Sequence, residues 1–201
     1  GRAYKACLRG QVTLNVRPHT MPFRTIELPS LEAFLSIAVA PIESVVIYRG
    51  VSDASYDLLP SVGRWKGPEA SRIHFERQVF EDFKSRAIGY LNIQPRNQWE
   101  WLFLAQHHGL PTRLLDWSSS PLVALPFALR EDKRTDFALY ALNFSYGVIS
   151  HDIPLFLGDD PLAVKEPAQI SPSYVSDRVE RQSSIFTIQP DPWTPLRDRN
   201  E

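Results

Sequence analysis

Between Gln98 and His108 apolar side chains fall on nearly every side of a helix: Trp99, Trp101, Leu102, Phe103 and Leu104. A helix that is apolar all round has no face to give to water and belongs inside a core. Gly109 is its natural stop, and Pro111 blocks continuation. The rest of the chain must therefore cover this segment. With 201 residues, 43% of them hydrophobic and with five Trp and eleven Phe, it has the material to do so in one sizeable domain.

The flanking patterns say what covers it. Leu28 to Ala40 reads as a helix, with Ser30 at the N-cap and Leu31, Phe34, Leu35 and Ile37 apolar. Val45 to Tyr48 reads as a buried strand ending on Arg49-Gly50. A long amphipathic helix is expected from Pro68 to Leu91. It turns Ile73, Phe80, Phe83, Ala87 and Leu91 inward and leaves Arg72, Glu76, Arg77, Glu81, Asp82 and Lys84 to water. Arg113 to Trp117 reads as a short buried strand. Ser118 to Ser120 then cap a helix from Pro121 to about Arg130, in which Pro126 should produce a kink at roughly 3 kcal/mol.

Phe137 to Phe144 alternates as a strand, Tyr146 to Ser150 is its expected partner, and Ser184 to Gln189 is a last strand. Ile153 to Arg178, rich in Pro and Asp, reads as irregular. The expectation is a single α+β domain with small mixed or antiparallel sheets and a helical middle. It spans residues 25–190, after a strand-forming N-terminal extension (1–24) and before a C-terminal tail (191–201).

Charge and cysteine narrow the function classes. A formal net charge of −1 gives no global attraction for nucleic acid or an anionic membrane. The single cysteine excludes an internal disulfide framework and a Cys-rich zinc site. No apolar run approaches the length of a membrane span, so the expected location is the cytoplasm.

Polar residues gather in four places against this apolar background. Tyr48-Arg49-Gly50 ends a strand, where a guanidinium suits a phosphate or carboxylate and Gly50 lets the backbone approach a ligand. Ser61 and Arg64 form a second candidate anion contact. His107 to Ser118 packs two His, Thr112, Arg113, Asp116 and Trp117 into about a dozen residues. By strand alternation Arg113 and Asp116 face opposite ways, so each needs its own partner. Arg181-Gln182 is the fourth. Each has a plain structural reading as well: a salt bridge for Arg49, a solvated turn for Ser61 and Arg64, helix-end imidazoles for His107 and His108. No ligand spacing accompanies the His pair, so no metal is expected. Nothing resembles a nucleophile elbow.

Tyr48-Arg49-Gly50, Leu59-Pro60-Ser61-Val62-Gly63-Arg64, Gln106-His107-His108-Gly109 through Asp116-Trp117-Ser118 to Leu125, and Arg181-Gln182 before Ile185-Phe186-Thr187 resemble the FRG domain family, named for a Phe/Tyr-Arg-Gly signature. The likeness runs from about Thr25 to Pro190. Pro126 departs from it where an aromatic is usual, as does Ser183 where Gly or another small residue is common.

A looser pattern resembles the Arg-Ser-Glu class of ADP-ribosyltransferases. That likeness implies NAD as substrate, Arg49 on its nicotinamide-side phosphate and Ser118 steadying the site. Tyr48, Gly50, Ser61, Arg64, Thr112 and Arg113 are the further expected nucleotide contacts. Gln182 falls where the class has its catalytic Glu, so Glu180, Asp116, His107 or His108 must supply the missing function. Two functions stand on this basis. One is an NAD-using ADP-ribosyltransferase or NAD-cleaving effector, of the toxin or phage-defence kind, acting on a protein or nucleic-acid acceptor. The other is a non-catalytic nucleotide- or nucleic-acid-sensing module.

Overall fold

The computed structural model describes residues 3–7, 11–12, 24–27, 34, 46–130, 136–143, 147–149, 153, 157–172 and 185–196. In chain order the strands and α-helices are β1 (Ala3–Cys7), β2 (Gln11–Val12), β3 (Arg24–Glu27), β4 (Val46–Val51), α1 (Arg72–Ala87), α2 (Gln98–His107), β5 (Leu115–Trp117), α3 (Pro121–Ala128), β6 (Ala138–Asn143), β7 (Gly147–Ile149), β8 (Ala168–Ser171) and β9 (Ile185–Ile188). The fold is α+β, with two small mixed sheets. The first runs β2-β3-β1-β6-β4 and the second β5-β9-β8-β7. Within them β1–β3 and β7–β8 are parallel pairs.

The strand periodicity explains the layers. In β4 and β6 the opposed pairs Ile47–Leu142, Arg49–Tyr140 and Val51–Ala138 share one face. Ile47, Tyr140 and Ala138 meet Leu115 and Trp117 of the second sheet there, together with Leu58 and Leu196. The other face of the second sheet, through Ala168, Ile170, Phe186 and Ile188, packs on Phe80 of α1 and on Trp99, Leu102, Phe103 and Ala105 of α2. The all-round apolar helix is thus set against a sheet that is itself covered on both sides. Asn97 caps it, accepting from the Glu100 N–H, while Glu100 accepts from the Arg96 N–H at 2.7 Å. Gly109 closes it at φ 80°, in the left-handed region.

Several expectations are corrected. The long helix is divided, with 3-10 turns at Glu69–Ser71 and Ile88–Tyr90 on either side of α1. Its faces differ as well: Glu76 is buried and Ile73 is exposed, because Glu76 meets a buried Arg113. β7 does not pair with β6. It lies in the other sheet, parallel to β8. β8 itself falls inside the stretch expected to be irregular, a four-residue strand hidden between Pro167 and Pro172.

The first 27 residues supply β1, which runs antiparallel to β6 in the first sheet. The expected tail is pinned down as far as Leu196, whose N–H donates to the Leu58 carbonyl at 2.9 Å. Of the helix expected over 28–40, Phe34 alone is described, helical and buried. No helix among the described residues is long and apolar enough to cross a membrane.

Candidate functional site

Among the described residues the two sheets are joined edge to edge by one bridge. Tyr48 N–H donates to the Ser118 carbonyl at 2.7 Å, and Ser118 N–H returns a bond to the Tyr48 carbonyl at 2.8 Å. This bridge ties β4 of the first sheet to the end of β5 of the second. Ser118 Oγ also accepts from the Ser120 N–H at 3.1 Å, while Ser120, at the N-cap of α3, makes no side-chain cap bond. The serine run therefore shapes the turn between bridge and helix.

Arg49 enters the seam from β4, on the face shared with Tyr140. Its Nη1 donates to the Asp116 main-chain carbonyl at 2.7 Å and lies 3.8 Å from that residue's carboxylate. The Arg49 side chain is 21% exposed and that of Asp116 59%. Burial lowers the Arg49 pKa, the Asp116 charge pulls it back up, and the Arg64 charge lowers it further. A guanidinium stays charged through such shifts, so the site keeps its positive centre.

Asp116 anchors a polar relay. Its Oδ2 accepts from Gln106 Nε2 at 2.8 Å, and Gln106 Oε1 accepts from the Thr112 hydroxyl. Thr112 is fixed in turn by Ser61: Thr112 N–H donates to Ser61 Oγ at 3.0 Å, and Ser61 Oγ donates to the Thr112 carbonyl at 3.2 Å. Ser61, Thr112, Gln106, Asp116 and Arg49 thus form one connected chain. Asp116 is not a buried acid on a buried strand. Leu115 and Trp117 point inward, and Asp116 points out between them.

Other expected residues lie elsewhere. Arg113 is 3% exposed and clasps Glu76 through two bonds, Nε to Oε1 at 2.7 Å and Nη2 to Oε2 at 2.5 Å. It is an internal ion pair outside the relay. Gly50 does permit a close approach, but to a helix. A Cβ there would stand 2.2 Å from the Ala124 carbonyl and 2.7 Å from the Ala128 nitrogen, both in α3. Arg64 is exposed in the turn after Ser61. His107 and His108 are exposed at the end of α2, their rings edge-on at 5.3 Å, with His108 6.2 Å from Phe83. Glu180 and Gln182 fall outside the described residues.

Sequence alone assigns no site role to three polar residues of this region. Gln106 lies beside the His pair and was overshadowed by it. Glu76 had the spacing of a solvent-facing helix position. Tyr140, whose hydroxyl donates to the Tyr56 carbonyl at 2.9 Å, looked like one more strand aromatic. Among the described residues, no group of three or more His, Cys, Asp or Glu converges as a metal site would require.

The family model described as FRG domain matches residues 44–136, a span that holds Arg49, Ser61, Thr112, Asp116 and Ser118. No curated protein and no solved structure matches the chain.

Proposed function

We propose, from the match of residues 44–136 to the FRG domain model, that the seam binds a nucleotide, with NAD as the substrate of ADP-ribosyl transfer or cleavage. The observation that carries this reading is the Tyr48–Ser118 bridge. It makes hydrogen-bonded neighbours of the arginine strand and the serine turn, the two elements that the transferase likeness assigns to NAD. One donor of Arg49 holds Asp116, and the guanidinium fork has others to offer a phosphate. Arg64 adds a second positive charge close enough to be felt at Arg49.

In this reaction the bond between ribose C1′ and the nicotinamide nitrogen breaks, and nicotinamide leaves with the bonding pair. An acceptor oxygen or nitrogen on a protein or nucleic acid, or water in simple cleavage, bonds to C1′ and releases its proton. The Asp116 carboxylate stabilises the cationic ribosyl centre, an effect of about 3 kcal/mol when preorganised. His107 or His108 takes the acceptor's proton. Such a protein would act in the cytoplasm as a toxin or a phage-defence component.

Incubation with NAD and quantitation of free nicotinamide tests the activity. The parent should release nicotinamide, and Asp116→Asn should lose release while keeping NAD affinity. A parent that releases none, with water or any supplied acceptor, removes the enzyme reading. One observation favours a second reading, a nucleotide-sensing module without turnover: Asp116 is already held by Gln106 and stands 3.8 Å from Arg49. In that case NAD or another nucleotide binds and is recovered intact.

A further inference from the structure

Among the described residues, a buried amide oxygen on the inter-sheet face of the second sheet has no donor. Gln169 of β8 is 7% exposed, and its Oε1 has no hydrogen-bond partner among the described residues. Strand register fixes where the side chain points. Gln169 opposes Thr187, and Thr187 opposes Leu115. Directly opposed residues share a face, and Leu115 belongs to the inter-sheet cluster with Ile47, Trp117 and Tyr140. Gln169 therefore faces the first sheet, the face onto which Arg49 also projects.

Its neighbours do not satisfy it. Thr187 accepts from the Trp117 indole N–H at 2.8 Å, and on the other flank the parallel partner is Gly147, which has no side chain. A buried acceptor without a donor destabilises a fold, whereas an apolar side chain of the same length would not. A strand position that keeps such a group against this cost calls for a use.

We propose that the Gln169 carboxamide is a ligand-recognition group. It accepts a hydrogen bond from a neutral N–H or O–H donor on the nucleotide whose phosphate Arg49 holds. This inference rests on the nucleotide reading of the seam. An ordered water carries the same donor chemistry, and the two sources separate by experiment.

Gln169→Met keeps the length of the side chain and removes its polarity, and Gln169→Leu serves as a second variant. Calorimetric unfolding of the full chain without ligand, and isothermal titration with NAD, should be run on both beside the parent and Arg49→Ala. Relief of an unpaired acceptor should raise the Tm of both variants by about 2–4 °C. NAD affinity should fall about tenfold, the size of one lost ligand contact. A lower Tm would mean that a resident water already satisfies Gln169, and would overturn the proposal. So would unchanged NAD affinity in a parent that binds NAD through Arg49. If the parent binds no NAD, the nucleotide reading fails first and this inference falls with it.

Discussion

Arg49 and Arg113 both carry a guanidinium into the protein, and their surroundings give them different work. Arg113 is enclosed with Glu76 and matched donor for acceptor, so its role is to hold α1 to the segment before β5. Removing one partner of such a pair leaves an uncompensated buried charge. Glu76→Gln should therefore cost about 3–5 kcal/mol in a denaturant melt, and adding Arg113→Met to it should recover much of the loss. Arg49 is only partly enclosed and bonds chiefly to a main-chain carbonyl, which leaves it free to engage an anion.

Tyr140, opposite Arg49, adds a pH dependence. Burial first, and the Asp57 charge after it, raise its phenol to about 12, with Arg49 pulling the other way. The raised value means that the fold favours the neutral phenol. This contribution is whole below the unfolded pKa near 10 and is lost as pH rises through about 12. Stability should fall by roughly 2–3 kcal/mol across that interval. Tyr140→Phe should flatten the fall in an alkaline unfolding series.

At the scale of elements, α3 lies directly on β4, and Gly50 is what lets it do so. Ala128 brings its Cβ and Ala124 its carbonyl to the same contact, and both residues are almost wholly buried. The signature glycine after Arg49 and the alanines of α3 are thus two sides of one packing surface. Gly50→Ala would drive a methyl group into helix backbone, which cannot yield as a flexible side chain does. It should destabilise by about 1–3 kcal/mol or more, and it should weaken nucleotide binding by shifting Arg49. Thermal unfolding beside a binding titration checks both.

Periodicity made β4, α2, α3, β6 and β9 legible, because each buries a face or a whole surface that its residue pattern states. It failed where a long-range partner overrode the pattern. Glu76 reads as solvent-facing until Arg113 arrives from 37 residues away. β8, four residues between two prolines, is too short to show a period. The pairing of β7 is a tertiary choice that local sequence does not encode. Of the site, Arg49, Asp116, Ser61 and Thr112 stood out as polar groups against an apolar ground. The relay through Gln106 did not, since a glutamine at the end of a helix is ordinary.

Across the whole molecule, two sheets meet at the Tyr48–Ser118 bridge, and the polar relay gathers around that seam. Arg49 reaches Asp116 over 67 residues of chain, so an intact seam depends on both sheets being folded. Nucleotide binding should therefore be lost in the same cooperative transition as tertiary structure, which near-ultraviolet circular dichroism recorded beside bound nucleotide would check. Both functional readings place Arg49 at this seam as the phosphate contact of a nucleotide site. Isothermal titration of NAD into the parent, Arg49→Lys and Arg49→Ala tests it most directly. Saturable binding to the parent is expected, at least about tenfold weaker in Arg49→Lys because the planar fork is lost, and absent in Arg49→Ala. Equal NAD affinity in all three folded proteins, or no binding to the parent, would contradict it.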